Sequence, residues 1–174
     1  MLRQWLWLSL VATATVVMAQ TFTVKGSKGS GSAVNEDGQP ALFRYEVKQV
    51  IHNDTQREAL HGAFHFSLLN RQERTQLTID LLRLTAYRQR IGDTEKVAEF
   101  KGPAVMSVVS PQGGRRVRGE LTVLVKDNRP PTVREGDPDE IGLRFVAGDP
   151  AKPFAFRGKV VRGDIVIFDR HAPR

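Results

Sequence analysis

From Ala41 onward, apolar side chains recur at every second position. Phe43, Tyr45 and Val47 alternate with Arg44, Glu46 and Lys48, and Phe64, Phe66 and Leu68 with His65 and Ser67. Leu121, Val123 and Val125 alternate with Glu120, Thr122 and Lys126; Ile141, Leu143 and Phe145 with Gly142 and Arg144. Phe154 and Phe156, then Ile165 and Ile167, carry the pattern toward the C-terminus. A period of two sends one face of each segment into a core and the other into water, and Gly, Pro, Asn or Asp bound every run. The predicted fold class is all-β: an antiparallel β-sandwich or small β-barrel of about eight strands, since either form buries one face and limits exposed edges.

Two segments depart from that pattern. Arg74–Arg90 carries Leu77, Leu81 and Leu84 at helical spacing, but also Leu77, Ile79 and Leu81 at strand spacing with a bulge near Leu81–Leu82. Its Thr content and its surroundings favour strand. Residues 25–32, KGSKGSGS, read as a flexible segment or a loose first strand. Their glycines make no phosphate loop, because no helix follows to present its N-terminus to an anion. The expected organisation is a signal peptide over 1–19, a flexible N-terminal segment or first strand over 20–40, and a single β domain over 41–174.

Arg3, the apolar run from Trp5, and the small residues Val17 and Ala19 have the three-part grammar of a secretory signal cleaved after Ala19. A signal with no cysteine in the chain points to a bacterial exported protein, secreted or periplasmic, with no transmembrane span after cleavage. An outer-membrane barrel would need aromatic girdles and a lipid-facing apolar band. Beyond residue 19 the chain has no Trp and only Tyr45 and Tyr87, and it ends DRHAPR.

The net charge of +7 falls to +6 once Arg3 is removed, which favours polyanionic partners outside the cell. The densest basic run is GGRRVRGE, so Arg115, Arg116 and Arg118 are the candidate binding residues. Nucleic acid is not expected, because stacking aromatics are scarce. The stretch LVKDNRPPTVREGDPDEIGLRF gathers carboxylates, of which Asp127, Asp137 and Asp139 are the candidate calcium ligands. Its spacing is not that of an EF-hand, and Arg129 and Arg134 could neutralise the acids instead. The plainer reading is a hairpin that Asp127–Asn128 closes, with Asx side chains satisfying local backbone donors.

The other constellations are weaker. On a strand, His61 and His65 lie about 13 Å apart, too far to share an ion. His52 and His61 could face each other across a hairpin, but two ligands without a third make a poor zinc site. No Gly-x-Ser-x-Gly elbow and no His-Glu-x-x-His helix occurs, so no enzyme activity and no cofactor are expected. Arg162-Gly163-Asp164 is better explained by a bend or bulge than by adhesion.

The pieces VAEFKGPAVMS, VRGELTVLVKDNRPP, GDPDEIGLRFV and FAFRGKVVRGDIVIF, preceded by PALFRYEVKQV and LHGAFHFSL, occur in an order that resembles the post-COAP-type extracellular β domains of bacteria. Asn128 is followed here by Arg129 where that family has Gly, and the last turn is Arg-Gly-Asp where it has Gly-Gly-Asn. The resemblance implies an exported, non-catalytic β module. The expected function is association with an anionic component of the cell envelope or matrix, or with another exported protein. The alternatives are a small-ligand carrier of lipocalin type, which requires an apolar cavity, and a hydrolase using carboxylates of the 127–140 loop.

Overall fold

The computed structural model describes residues 21–70, 72–93, 95–128, 136–147 and 153–173. These residues form nine strands and no helix: β1 (Thr21–Asn35), β2 (Pro40–His52), β3 (Arg57–Asn70), β4 (Thr75–Leu81), β5 (Ala86–Ile91), β6 (Lys96–Ser110), β7 (Gly113–Asp127), β8 (Glu140–Ala147) and β9 (Phe154–Pro173). All belong to one antiparallel sheet in the order β4-β3-β2-β1-β9-β8-β7-β6-β5. The sheet closes on itself because β4 also pairs with β6. β5 takes the first half of β6, Lys96 to Lys101, and β4 takes the second half, Ala104 to Val109. Closure removes most of the exposed edge that an open sheet would offer for aggregation.

The ambiguous segment is strand, and the expected bulge becomes a full break. Between β4 and β5 the chain steps out of register, held by Leu82 N–H to Pro103 O and Thr85 N–H to Lys101 O. Opposite the break stands Gly102. A Cβ there would lie 1.9 Å from Arg83 O, so only glycine admits so close a backbone.

The Gly/Ser stretch takes the strand alternative rather than the flexible one. It lies in β1, paired with β2 on one side and β9 on the other, in the same sheet as the strands that follow. Ser27, Gly29, Gly31 and Ala33 stand opposite Val47, Tyr45, Phe43 and Ala41 of β2, where their small side chains leave the interior to the rings of β2. Gly163, in the Arg-Gly-Asp tripeptide, has φ +100° beside the β1–β9 register shift at Ser32/Ala33, as a bulge requires.

The inward set fills the barrel. Tyr45 and Phe64 pack on Phe100 with ring centroids 5.4 and 5.7 Å away, and Phe66 lies 5.0 Å from Phe156. Ile79, Leu121, Val123, Val125, Ile141, Phe145, Ile165 and Ile167 complete the core with almost no exposure. One interior polar pair, Ser27 Oγ and Tyr45 Oη at 2.9 Å, satisfies both hydroxyls. Burial pushes the Tyr45 phenol well above its ordinary value and keeps it neutral. Arg44, Glu46, Lys126 and Arg144 take outward positions where a membrane barrel would present apolar residues to lipid. No helix among the described residues is long and apolar enough to cross a membrane.

Candidate functional site

At the end of the barrel that carries the β6–β7 turn, the core formed by the described residues does not reach the mouth. Met106 and Val108 of β6, Val117 of β7, Phe145 and Ala147 of β8 and Phe154 of β9 wall an apolar recess of about 270 Å³. Phe145 is fully buried at its floor, and Phe154 ties one wall to the core through Phe66 at 6.3 Å. Among the described residues, the recess is lined by one charged side chain, Arg115. None of the ion pairs among the described residues involves it.

The basic run is therefore divided. Arg115 shares the inward alternation of Val117, Gly119 and Leu121, opposite Val108. Arg116 and Arg118 share the outward alternation of Glu120 and Thr122, opposite Ser107 and Val105. The strand brings the last two together on the outer surface and sends the first into the mouth.

The acidic loop lies at the opposite end and is built differently from a calcium site. β8 begins only at Glu140, so it does not reach the stretch of β9 beyond Val160. Two carboxylates supply the missing acceptors. Asp139 Oδ2 accepts Ile165 N–H at 3.1 Å, and Asp127 Oδ2 accepts Ile167 N–H at 3.3 Å. Asp139 Oδ1 takes Asn128 N–H at 3.0 Å, while Asn128 Nδ2–H donates to Pro138 O at 2.9 Å. These last bonds close the base of the hairpin, but not by the local Asx contacts expected: Asp127 accepts from Ile167, and the Asn128 side chain donates to a carbonyl. Lys96 Nζ stands 3.5 Å from Asp127 Oδ2 and occupies the electrostatic place a cation would take.

Burial drives the Asp139 carboxyl above its ordinary value, against the two backbone donors that pull it down; the neighbouring Asp127 charge adds to the rise. Asp137 is exposed and joins neither buried acid in any hydrogen bond among the described residues. No group of three metal-ligating side chains forms among those residues. Arg129 and Arg134 lie outside them.

A second depression, a groove of about 670 Å³, crosses the outer face of β9, β1, β2, β3 and β4. One transverse row runs Asp164, Ser30, Arg44, His65, Asp80, each registered with the next. His65 Nδ1 lies 2.7 Å from Asp80 Oδ1. Ser30 is two strands away from His65, about 10 Å at the ordinary spacing, so no nucleophile–base contact forms. Lys28 and Arg44 are offset by Glu46, Asp80 and Asp164, and all five are exposed. The groove is open to solvent, and its charged side chains offset one another over a mixed polar and apolar lining.

The remaining histidines do not converge. His52 pairs with Arg57 and His61 with Lys48, so the two do not face each other as the hairpin reading allowed. His171 Nδ1 lies 3.0 Å from Thr23 Oγ1, whose hydroxyl donates to Asn53 Oδ1. Comparison with protein-family models, with curated proteins and with solved structures returns no match.

Proposed function

We propose that this chain is an exported, non-catalytic binding barrel that takes a small apolar ligand in the recess at the β6–β7 end. One observation carries the reading: apolar side chains of four adjacent strands surround a space that the core leaves unfilled. Eight-stave barrels either pack their interiors solid or keep room for one small molecule near a mouth. This is the carrier alternative of the sequence reading, reduced in size because aromatic rings fill the deeper interior. Residues 1–19 supply the export signal, and the motifs resembling post-COAP-type domains fall on strands β2, β3, β6, β7, β8 and β9. The hydrolase alternative is less favoured, because Asp127 and Asp139 are engaged by backbone donors rather than free to act on a substrate.

The test is emission of a neutral ten-carbon fluorophore, naphthalene, which brightens when it is shielded from quenching by dissolved oxygen, titrated with protein. Enhancement in the native protein, abolished by Ala147→Trp with unfolding stability retained, supports the reading. Absence of enhancement, or enhancement indifferent to Ala147→Trp, contradicts it.

Association with an anionic envelope surface is a second reading, favoured by the exposed pair Arg116 and Arg118 on the outer wall near exposed Val109. It predicts salt-sensitive sedimentation with isolated envelopes that weakens in an Arg116→Ala/Arg118→Ala double variant. Sedimentation unchanged by that variant would remove it.

A further inference from the structure

We infer that the ligand of this recess is a short amphipathic anion, with its chain between β6, β7, β8 and β9 and its anionic head on the Arg115 guanidinium. The inference rests on the carrier reading and adds the chemistry of the ligand. Among the described residues Arg115 is the only charged side chain lining the recess, and no carboxylate of those residues pairs with it. Its backbone partner across the sheet is Val108, itself part of the apolar wall. A guanidinium offers a planar fork of donors that matches a carboxylate or phosphate in two parallel hydrogen bonds. Its hydrocarbon stem can lie along apolar surface while the head stays in water. Such a residue at the lip of an apolar recess fits a ligand with one apolar end and one anionic end.

Size narrows the class further. An apolar cavity of roughly 150 Å³ accepts a benzene-sized guest. The 270 Å³ recess therefore holds on the order of ten carbon atoms. That suits a single short acyl or alkyl chain and excludes a two-chain lipid.

The experiment compares ligands that differ only at the head. Octanoate, octanol and octylamine are titrated into the protein by calorimetry at low ionic strength, with the Arg115→Ala and Arg115→Glu variants alongside. Octanoate should bind about fivefold tighter than octanol, the scale of a well-placed surface ion pair, and octylamine weakest. Salt should erode the preference. Arg115→Ala should weaken octanoate more than octanol and bring the two to equal affinity, and Arg115→Glu should move the preference to octylamine. Octyl phosphate in place of octanoate tells whether the head is carboxylate or phosphate.

Equal binding of octanoate and octanol to the native protein, or an Arg115→Ala loss of equal size for both, overturns the anionic-head assignment while leaving the carrier reading in place. Failure of every chain to bind overturns both. Arg115 is exposed, so its replacement does not threaten the fold.

Discussion

Asp139 accepts the backbone N–H of Ile165 at 3.1 Å, from twenty-six positions earlier in the chain. That side chain, with Asp127 on Ile167, replaces the strand that β9 lacks beyond the reach of β8. Asp127 and Asp139 are thus part of the sheet. Asp139→Ala leaves the N–H groups of Asn128 and Ile165 without their acceptor. Orphaning the buried Ile165 donor costs about 1–3 kcal/mol and the half-buried Asn128 donor about 1 kcal/mol, so the variant should lose roughly 2–4 kcal/mol in urea unfolding. A loss under about 0.5 kcal/mol, ordinary for a surface site, would mean the contact is dispensable.

The same residue gives a pH signature. Burial raises its folded pKa above the ordinary 3.8, so the native state holds this proton more tightly than the unfolded chain. The contribution is therefore greatest in acid and is lost as pH rises from that ordinary value through the folded one. Asp139→Asn cannot titrate. Its deficit relative to the native protein should shrink as pH climbs out of the acid range, whatever the deficit's absolute size. Unfolding free energies of both proteins across pH measure this, and a difference that stays constant or widens contradicts it.

Ser27 and Tyr45 answer only to each other inside the barrel. Tyr45→Phe strands the serine hydroxyl, and Ser27→Ala strands the phenol, each at about 1–3 kcal/mol. The double variant removes donor and acceptor together, so it should be less destabilised than the sum of the single changes by 1 kcal/mol or more. Additivity in denaturant melts would show that the two hydroxyls do not depend on one another.

Gly102 tests the break between β4 and β5. Because a Cβ there would meet Arg83 O at 1.9 Å, even Gly102→Ala must push the two backbones apart. The expected cost is about 1–3 kcal/mol, with Gly102→Val worse. Gly142 provides the control, since the nearest atom to a Cβ there is 3.9 Å away. If both glycines tolerate alanine equally, the close approach at Gly102 is not real.

The strands that the sequence revealed are those whose inward residues are large and apolar. β1 escaped a firm reading because its inward positions hold Ser27, Gly29, Gly31 and Ala33, which show no apolar alternation. They are small because Phe43 and Tyr45 need the room. Closure was not legible, since a sandwich and a barrel share the same period and the β4–β6 pairing joins segments separated by β5. The division of the basic run was legible in principle. Counting by twos from Leu121 puts Val117 and Arg115 inside, while Arg116 and Arg118 fall with Glu120 outside; taken as a block of charge, the three concealed the one that faces the recess. The roles of Asp127 and Asp139 as ladder acceptors were hidden, because nothing local announces that β8 starts too late for β9.

The most direct measurement is methyl NMR of the protein titrated with octanol. Binding in the recess predicts shifts concentrated on the methyl groups of Met106, Val108, Val117 and Ala147, with Val47 and Val125 toward the other end of the barrel nearly still. Shifts spread over the outer face, or none as octanol approaches its solubility limit, would contradict a ligand site at this mouth.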